Sequence, residues 1–337
     1  MPIRNESIFI EKSINSILHQ TFQSFDFEII IADGMSTDGT RDVVKRLMES
    51  ITEIKLIDNP EKTVPTGFNR ALSISRGDYI IRIDGHALLA RDFLEKCLEQ
   101  FQITNADCVG GPITNISRDK ISNIISIALQ SKFGVGGISF RERIKYGKYV
   151  RTLAFGAYNR QVFNKIGGYD TDLIRNQDDE FNFRMVQNKL KIWIHPSIKS
   201  FYYPKSSILG LFKQYFQYGF YKIRVFQKRG AVASIRHIIP LIFMIAILFS
   251  IYVLLFKDVV FPIKSLSLMY AFTSIFFTIN EIKKNTQIGF SFILLPLCFL
   301  TLHISYGLGS LLGIFYFFNK WNDVRLKDRY FEKNNFI

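Results

Sequence analysis

Three acidic turns in this chain combine residue types that bind cations or move protons, and each sits at the edge of a regular element. The first, Asp33-Gly34-Met35-Ser36-Thr37-Asp38-Gly39-Thr40, follows the apolar run Phe27 to Ala32 and precedes a helical stripe at Val43, Val44 and Leu47. Its acid and hydroxyls therefore lie at the carboxyl edge of a sheet, where open α/β folds take their ligands. It lacks the Gly-Lys-Ser/Thr ending of a phosphate-gripping P-loop. Helix capping accounts for Thr37 or Asp38, but Asp33 ends the strand directly, where no cap is needed. The second turn, Arg82-Ile83-Asp84-Gly85-His86, repeats that placement, with Asp84 closing the strand Tyr79 to Ile83. A carboxylate and an imidazole at i and i+2 can face one divalent ion, which would also hold a diphosphate. Alone, a strand-end Asp-x-His is as readily structural as functional. In the third, Gln177-Asp178-Asp179-Glu180 opens a helix whose apolar face begins at Phe181. One acid there suffices to match the helix dipole, at about 0.3–1 kcal/mol. Clustered carboxylates also raise one another's proton affinity, which suits a general base. Gly167-Gly168-Tyr169 just upstream reads as a flexible lip for the pocket.

The elements that must position these turns follow from periodicity. Up to about Ser200, short β-branched runs alternate with amphipathic stretches, the pattern of βαβ units and a mostly parallel sheet. Ile10, Ile14, Ile17 and Leu18 make a helical stripe, Ile54 to Ile57 a strand, and Phe93, Leu94, Cys97, Leu98 and Phe101 a further helical face. The first βα unit lacks its strand, because the chain opens at Pro2 with a loop-like Arg4-Asn5-Glu6 and passes straight into a helix. The expectation is that the strand lies upstream and that Met1 is an internal residue at its end.

Beyond about His237 the character changes. Ile238 to Phe256 carries no charge over 19 residues, enough to cross a hydrocarbon core of about 30 Å at roughly 1.5 Å per residue. Val259 to Asn280 is apolar apart from Lys264, and Ile288 to Phe318 is a long uncharged run interrupted by Pro296. Three spans are the simplest count. The basic residues before His237 and those in the tail, Lys320, Arg325, Lys327, Arg329 and Lys333, both belong on the cytoplasmic side, which calls for an even number of crossings. The net charge is +14, and from Phe181 to Lys257 there is no Asp or Glu. Ile208, Leu209, Leu211, Phe212, Tyr215, Phe216 and Phe220 are interleaved with Lys213, Lys222 and Arg224, as in an interfacial segment that is apolar on one side and basic on the other. No cleavable signal peptide is visible, and Cys97, Cys108 and Cys298 form no disulfide or metal-knuckle pattern. The expected division is an α/β domain over 1–200, an interfacial segment over 201–236, a membrane region of two to four spans over 237–320 and a basic tail over 321–337.

Taken in order, Pro2-Ile3-Arg4-Asn5-Glu6, Gln20, the Asp33 turn, Asn69 with Ala71, Gly77-Asp78, Asp84-Gly85-His86, Gly167-Gly168-Tyr169 and Asp178-Asp179-Glu180 with Arg184 resemble the family-2 glycosyltransferases of GT-A fold. The resemblance covers Pro2 to about Gly230 and is strongest to bacterial exopolysaccharide enzymes of the succinoglycan-biosynthesis type. It implies that Pro2, Arg4, Asn5, Glu6, Asp33, Ser36, Asn69 and Asp84 bind the nucleotide sugar, with Asp33 on the base. It also implies that Asp84 and His86 hold Mg²⁺ or Mn²⁺, and that Asp178, with Asp179 beside it, is the catalytic base. Arg184, Gln214 and Lys222 would meet the acceptor's phosphates. The chain departs from the family pattern at His86, where a second Asp is usual, and at Gln177, where Glu is usual.

The reaction so implied is inverting transfer of a hexose from a nucleotide-diphosphate donor, such as a UDP-hexose, to a polyprenyl-diphosphate-linked saccharide at the cytoplasmic membrane. The catalytic domain would lie in the cytoplasm and the chain would be multi-pass. A processive synthase is disfavoured, since the Gln-x-x-Arg-Trp motif of such enzymes is replaced by Gln214-Tyr215-Phe216-Gln217-Tyr218. A non-catalytic membrane-surface protein is the reading from another class. No nucleic-acid-binding motif is visible.

Overall fold

A computed structural model of the chain describes residues 1–21, 26–137, 144–232, 234–285 and 289–327. Arg329 and Lys333 of the expected tail lie outside these residues. The chain divides into two units. One takes the described residues of Met1–Thr114, Ser139–Tyr203 and Arg325–Ile337, and the other those of Asn115–Ile138 and Pro204–Val324.

The first unit is α/β. It begins β1 (Pro2–Ile3), α1 (Ile10–Leu18), β2 (Ile29–Asp33), α2 (Thr40–Met48), β3 (Ile54–Asp58), α3 (Val64–Ile74), β4 (Tyr79–Ile81), β5 (Ala87–Leu89), α4 (Phe93–Ile103), β6 (Cys108–Gly110) and β7 (Ile113–Asn115). The second unit then contributes α5 (Lys120–Gln130) and α6 (Lys132–Val135), after which come β8 (Lys148–Val150), β9 (Ala157–Asn159), α7 (Arg160–Ile166), α8 (Gln177–Gln187), β10 (Ile192–Ile194) and β11 (Ser200–Tyr202).

Strands β1, β2 and β3 pair in parallel. All five residues of β2 are buried, as the continuous apolar run Ile29-Ile30-Ile31-Ala32 requires of a strand covered on both faces. Residues Pro2 and Ile3 themselves form strand, in register with Ala32 and Asp33. The segment read as loop-like is thus loop only from Arg4. Proline is tolerated because β1 ends the order of its sheet, where a missing N–H breaks no ladder.

The fold class is the expected one, but parallel pairing is not general. In the five-stranded sheet β4-β9-β6-β10-β8, only the β6–β10 pair is parallel. Two apolar cores fix the layers. Ile10, Ile14 and Ile17 of α1 pack with Ile31, Val44 and Phe93, while Phe68, Tyr158, Phe163, Tyr169, Phe181 and Met185 form the second. All three cysteines are buried and free.

The second unit continues with α9 (Ile208–Arg229), α10 (Ile239–Lys257), α11 (Phe261–Lys284) and α12 (Leu295–Tyr316). Among the described residues, three stretches are long and apolar enough to cross a membrane, Ile235–Lys257, Phe261–Lys284 and Phe292–Tyr316. They fall on the three expected runs. Pro296 sits in the first turn of α12, where its missing N–H costs nothing, and so begins a helix instead of interrupting one.

Residues 115–138 join this unit, although sequence reading kept them in the α/β domain. The reason is apolar: Ile124, Ile125 and Ala128 of α5 are buried with Leu211, Phe299 and Leu302. Phe133 is partly buried, stacked on Phe277 with centroids 5.0 Å apart and edge-on to Phe299 and His303. The His303 ring joins the Phe133 carbonyl at 2.8 Å and the Tyr270 hydroxyl at 2.9 Å, which satisfies a polar side chain inside an apolar helix.

Helices α9 and α12 touch backbone to backbone. A Cβ on Gly219 would lie 2.1 Å from the Tyr306 carbonyl oxygen, and one on Gly309 would lie 2.1 Å from that of Phe216. Small residues at such a seam replace side-chain interdigitation with close approach. The basic side of α9 does not simply face outward, because Lys222 and Arg224 are buried. Arg224 donates to Gln227 and to the Lys320 carbonyl and pairs with Asp323 at 3.6 Å, an acid beyond the acid-free stretch.

Candidate active site

The loop after β1 and the loop after β2 are laced together by their own polar groups. The Asn5 N–H donates to Ser36 Oγ and the Thr37 N–H to Asn5 Oδ1, while the Glu6 N–H donates to Thr40 Oγ1 and the Ser7 N–H to Asp38. Asn5 and Met35 take positive φ to make these turns. Asp38 also accepts from the Thr40 N–H at the start of α2. Burial pushes its carboxyl up, but the hydrogen bonds from Thr40 and Ser7 outweigh this and hold its pKa down at about 2.

Asp33 is fully enclosed. Its oxygens accept from the Ser36 N–H and hydroxyl and from Arg41 Nη1 at 2.9 Å, and Arg41 also pairs with Asp58 at 2.8 Å. The carboxylate expected to meet the base is therefore engaged in shaping its own loop. Pro2 is buried, its Cβ 3.1 Å from where a Cβ on Gly67 of α3 would stand, whereas Arg4 is exposed.

The β4–β5 connection carries Asp84, Gly85 and His86. A Cβ on Gly85 would come within 2.9 Å of Glu6 Cγ and 3.1 Å of Ile3 Cγ2, so glycine is what lets this loop close on the β1 loop. There His86 Nδ1 meets Glu6 Oε1 at 2.7 Å. The Ser13 hydroxyl of α1 donates to the Ala87 carbonyl and fastens the loop from below.

Asp84 Oδ1 accepts from Arg82 Nη2 at 2.6 Å. Burial opposes the charge on Arg82, but Asp84 first, then Tyr169 and Asp178, more than offset this and raise its proton affinity. Asp178 and Asp179 stand half-buried at the start of α8, the Asp179 N–H donating to Asp178. The third acid, Glu180, is buried and pairs with Arg184 at 2.6 Å.

Several expected residues are engaged inside the fold. Asn69 is fully buried and spans Tyr169, donating to its carbonyl and accepting from its N–H, both at 2.8 Å. Its amide is used up inside the fold. Arg184 gives its guanidinium to Glu180 and to the Ile166 and Gly168 carbonyls, where it closes the end of α7. Gly167-Gly168-Tyr169 is for the same reasons clamped, not a mobile lip. Gln214 and Lys222 lie on α9 in the second unit, Gln214 donating to the Tyr218 hydroxyl at 3.0 Å.

Sequence reasoning quoted Arg82 and Tyr169 within its motifs but gave neither a role in the site. The signal for Arg82 was an arginine inside an apolar strand run, two residues before Asp84 and hence on the same side of the strand.

Comparison with known proteins gives the same reading. The profile of glycosyl transferase family 2 matches residues 1–167. The succinoglycan biosynthesis protein ExoA of Rhizobium meliloti is 31% identical over 243 residues, covering 72% of this chain and 73% of that protein. A Methanococcus voltae dolichyl N-acetyl-alpha-D-glucosaminyl phosphate 3-beta-D-2,3-diacetamido-2,3-dideoxy-beta-D-glucuronosyltransferase is 31% identical over 227 residues, covering 65% of this chain and 70% of its own. Among solved structures, the mannosyltransferase PcManGT from Pyrobaculum calidifontis, in complex with GDP-Man and Mn²⁺, superposes with a TM-score of 0.56 at 17% identity over 92% of this chain and 85% of its own. S. aureus TarS 1–349 with UDP-GlcNAc does so with 0.50 at 14% identity over 70% and 71%. These likenesses establish a GT-A-like fold. With the profile match and relatives of this identity and coverage, the chain belongs to glycosyl transferase family 2 and is a glycosyltransferase.

Proposed function

We propose that this glycosyltransferase moves a hexose, with inversion, from a nucleoside-diphosphate donor such as a UDP-hexose to a lipid-linked saccharide in exopolysaccharide or surface-glycan synthesis. The observation that carries the proposal is the pairing of Asp84, after β4, with the buried Arg82 at 2.6 Å, a cation that Asp178 at the start of α8 also stabilises electrostatically. The relatives' names support the pathway and the acceptor: one acts in succinoglycan biosynthesis and one on a dolichyl-linked sugar. The solved neighbours hold GDP-Man and UDP-GlcNAc.

In this mechanism Asp178 is the catalytic base, with Asp179 as its neighbour. It accepts the acceptor hydroxyl's proton as that oxygen bonds to the anomeric carbon and the bond to the diphosphate oxygen breaks. The laced loops at Asn5, Glu6 and Ser36 form the nucleotide end of the site, with Asp33 holding their shape.

The donor set suits Mg²⁺ or Mn²⁺. Asp84 offers a carboxylate oxygen, and the Glu6 carboxylate on His86 Nδ1 leaves Nε2 as the ligating nitrogen, a common arrangement behind a metal-bound imidazole. Among the described residues no group of three or more His, Cys, Asp or Glu converges on one point. The rest of the coordination would come from donor phosphates and water, as is usual for Mg²⁺. Bound there, the ion would neutralise charge on the departing diphosphate.

The membrane-spanning stretches keep the enzyme where lipid-linked acceptors are, and Gln214 and Lys222 are assigned to the acceptor's phosphates. The catalytic unit is assigned to the cytoplasmic face of the cell membrane, in keeping with the basic residues Lys228, Arg229 and Arg236 ahead of α10. A screen of UDP-glucose, UDP-galactose, UDP-GlcNAc and GDP-mannose with Mn²⁺ and a polyprenyl-diphosphate sugar tests the reading. Nucleoside diphosphate release dependent on the lipid acceptor supports it, and no release with any pair overturns it.

A further inference from the structure

The interior of the first unit is a costly place for a guanidinium, and a well-packed apolar residue would be the cheaper occupant of position 82. Yet Arg82 is 7% exposed. It donates to Asp84 at 2.6 Å, its guanidinium carbon stands 5.8 Å from the centre of the Tyr169 ring, and Asp178 adds to its electrostatic stabilisation. Tyr169 is itself held from several sides. Asn69 grips its backbone at both polar groups, and its ring stacks on Phe68 with centroids 4.5 Å apart and meets Phe181 edge-on at 5.0 Å. Contacts thus run from α3 through Tyr169 to the guanidinium and on to the Asp84 carboxylate in the β4–β5 connection, with the Asp178 carboxylate that opens α8 adding its charge.

We propose that Arg82 is a positioning residue whose charge holds the Asp84 and Asp178 carboxylates together in one site, and that Tyr169 fixes it there. The inference rests on the reading of Asp84 and Asp178 as the working acids. Its consequence is specific. Without Arg82, two carboxylates share a poorly solvated site with no compensating charge, and an added divalent cation takes over that compensation.

The test uses the full-length protein in detergent, with Arg82→Met, which keeps the length and removes the charge. In EDTA the unfolding midpoint of R82M falls below wild type. Mn²⁺ alone then raises the R82M midpoint by more than it raises that of wild type, and the extra rise disappears in R82M/D84N. In nucleoside diphosphate release, R82M loses about 10- to 100-fold in kcat, the scale typical of groups that orient metal ligands and catalytic acids. Donor KM stays close to wild type, and Arg82→Lys recovers much of the rate. Tyr169→Leu, which removes the ring beside the guanidinium, lowers kcat less, and adds nothing in the R82M background because it acts through the same cation. If R82M does not accumulate, R82K and Y169L carry the test with smaller effects in the same direction.

An equal Mn²⁺ rise in wild type and R82M, or additive losses from R82M and Y169L, overturns the proposal. Should wild type release nucleoside diphosphate from no donor, the glycosyl-transfer reading fails, while the Mn²⁺-dependent midpoints still judge the role of Arg82.

Discussion

The two units reach close packing by opposite means. Around the candidate site, order comes from polar side chains that satisfy one another: Asn5 with Ser36 and Thr37, Glu6 with Thr40 and His86, Asn69 with Tyr169. Along the α9–α12 seam it comes from side chains that are missing, at Gly219 and Gly309, so that backbones touch. The difference teaches where each unit tolerates change. A polar lattice fails by losing a partner, and a glycine seam fails by gaining an atom.

Substitutions can break that comparison, the largest expected effect coming first. Asp178→Asn removes the base without changing shape, and should cost about 10²- to 10⁴-fold in kcat. Calorimetry should show the nucleotide sugar still binding. A near-normal rate for D178N together with a dead D179N would move the assignment by one residue.

Gly309→Leu places atoms where the Phe216 carbonyl already stands, and should cost about 3 kcal/mol or more through overpacking. It should be seen as loss of a monodisperse, membrane-extracted protein. A well-behaved G309L would mean that α9 and α12 are not held by close approach.

Asn69→Ala leaves buried backbone groups of Tyr169 unpaired and should cost about 1–3 kcal/mol. Chemical unfolding would measure it. An N69A protein of wild-type stability but weak donor affinity would return Asn69 to the nucleotide.

The smallest effect concerns pH. Asp38 has its pKa held to about 2 in the folded chain, against about 3.9 when unfolded. The stability it lends is therefore fully present above pH 4 and is lost as pH falls from 4 towards 2. The difference in unfolding midpoint between wild type and Asp38→Ala should be constant at pH 5 to 7 and shrink at pH 2.5. A difference that holds at low pH would show that Asp38 acts in its neutral form.

Much of this was legible in the sequence, and what was not has physical causes. The apolar run of β2, the stripe of α1 and the acids opening α8 each advertise themselves through local periodicity or position. The three membrane-length helices do the same by composition. Partnership across the chain does not show. Nothing near Asn69 says that its amide meets Tyr169, a hundred residues on, or that Arg184 meets the carbonyl at the end of α7. Both are polar residues within motif context, and only burial separates a working side chain from a fastening one. The excursion of 115–138 into the second unit was hidden for a related reason, since α5 is apolar enough for either core.

The short stretch after the last long helix carries a topological consequence. The Lys327 carbonyl accepts from the Thr171 N–H at 2.7 Å, so the chain ends its passage through the helical unit by rejoining the α/β unit it left at Tyr203. Two segments of one folded body share one side of any bilayer, which makes the number of complete passages between them even. Three membrane-length helices cannot all be complete passages unless α9 supplies a fourth. A phosphatase or fluorescent reporter joined behind residue 327 should therefore register in the same compartment as one inserted in the α/β unit, wherever that compartment is.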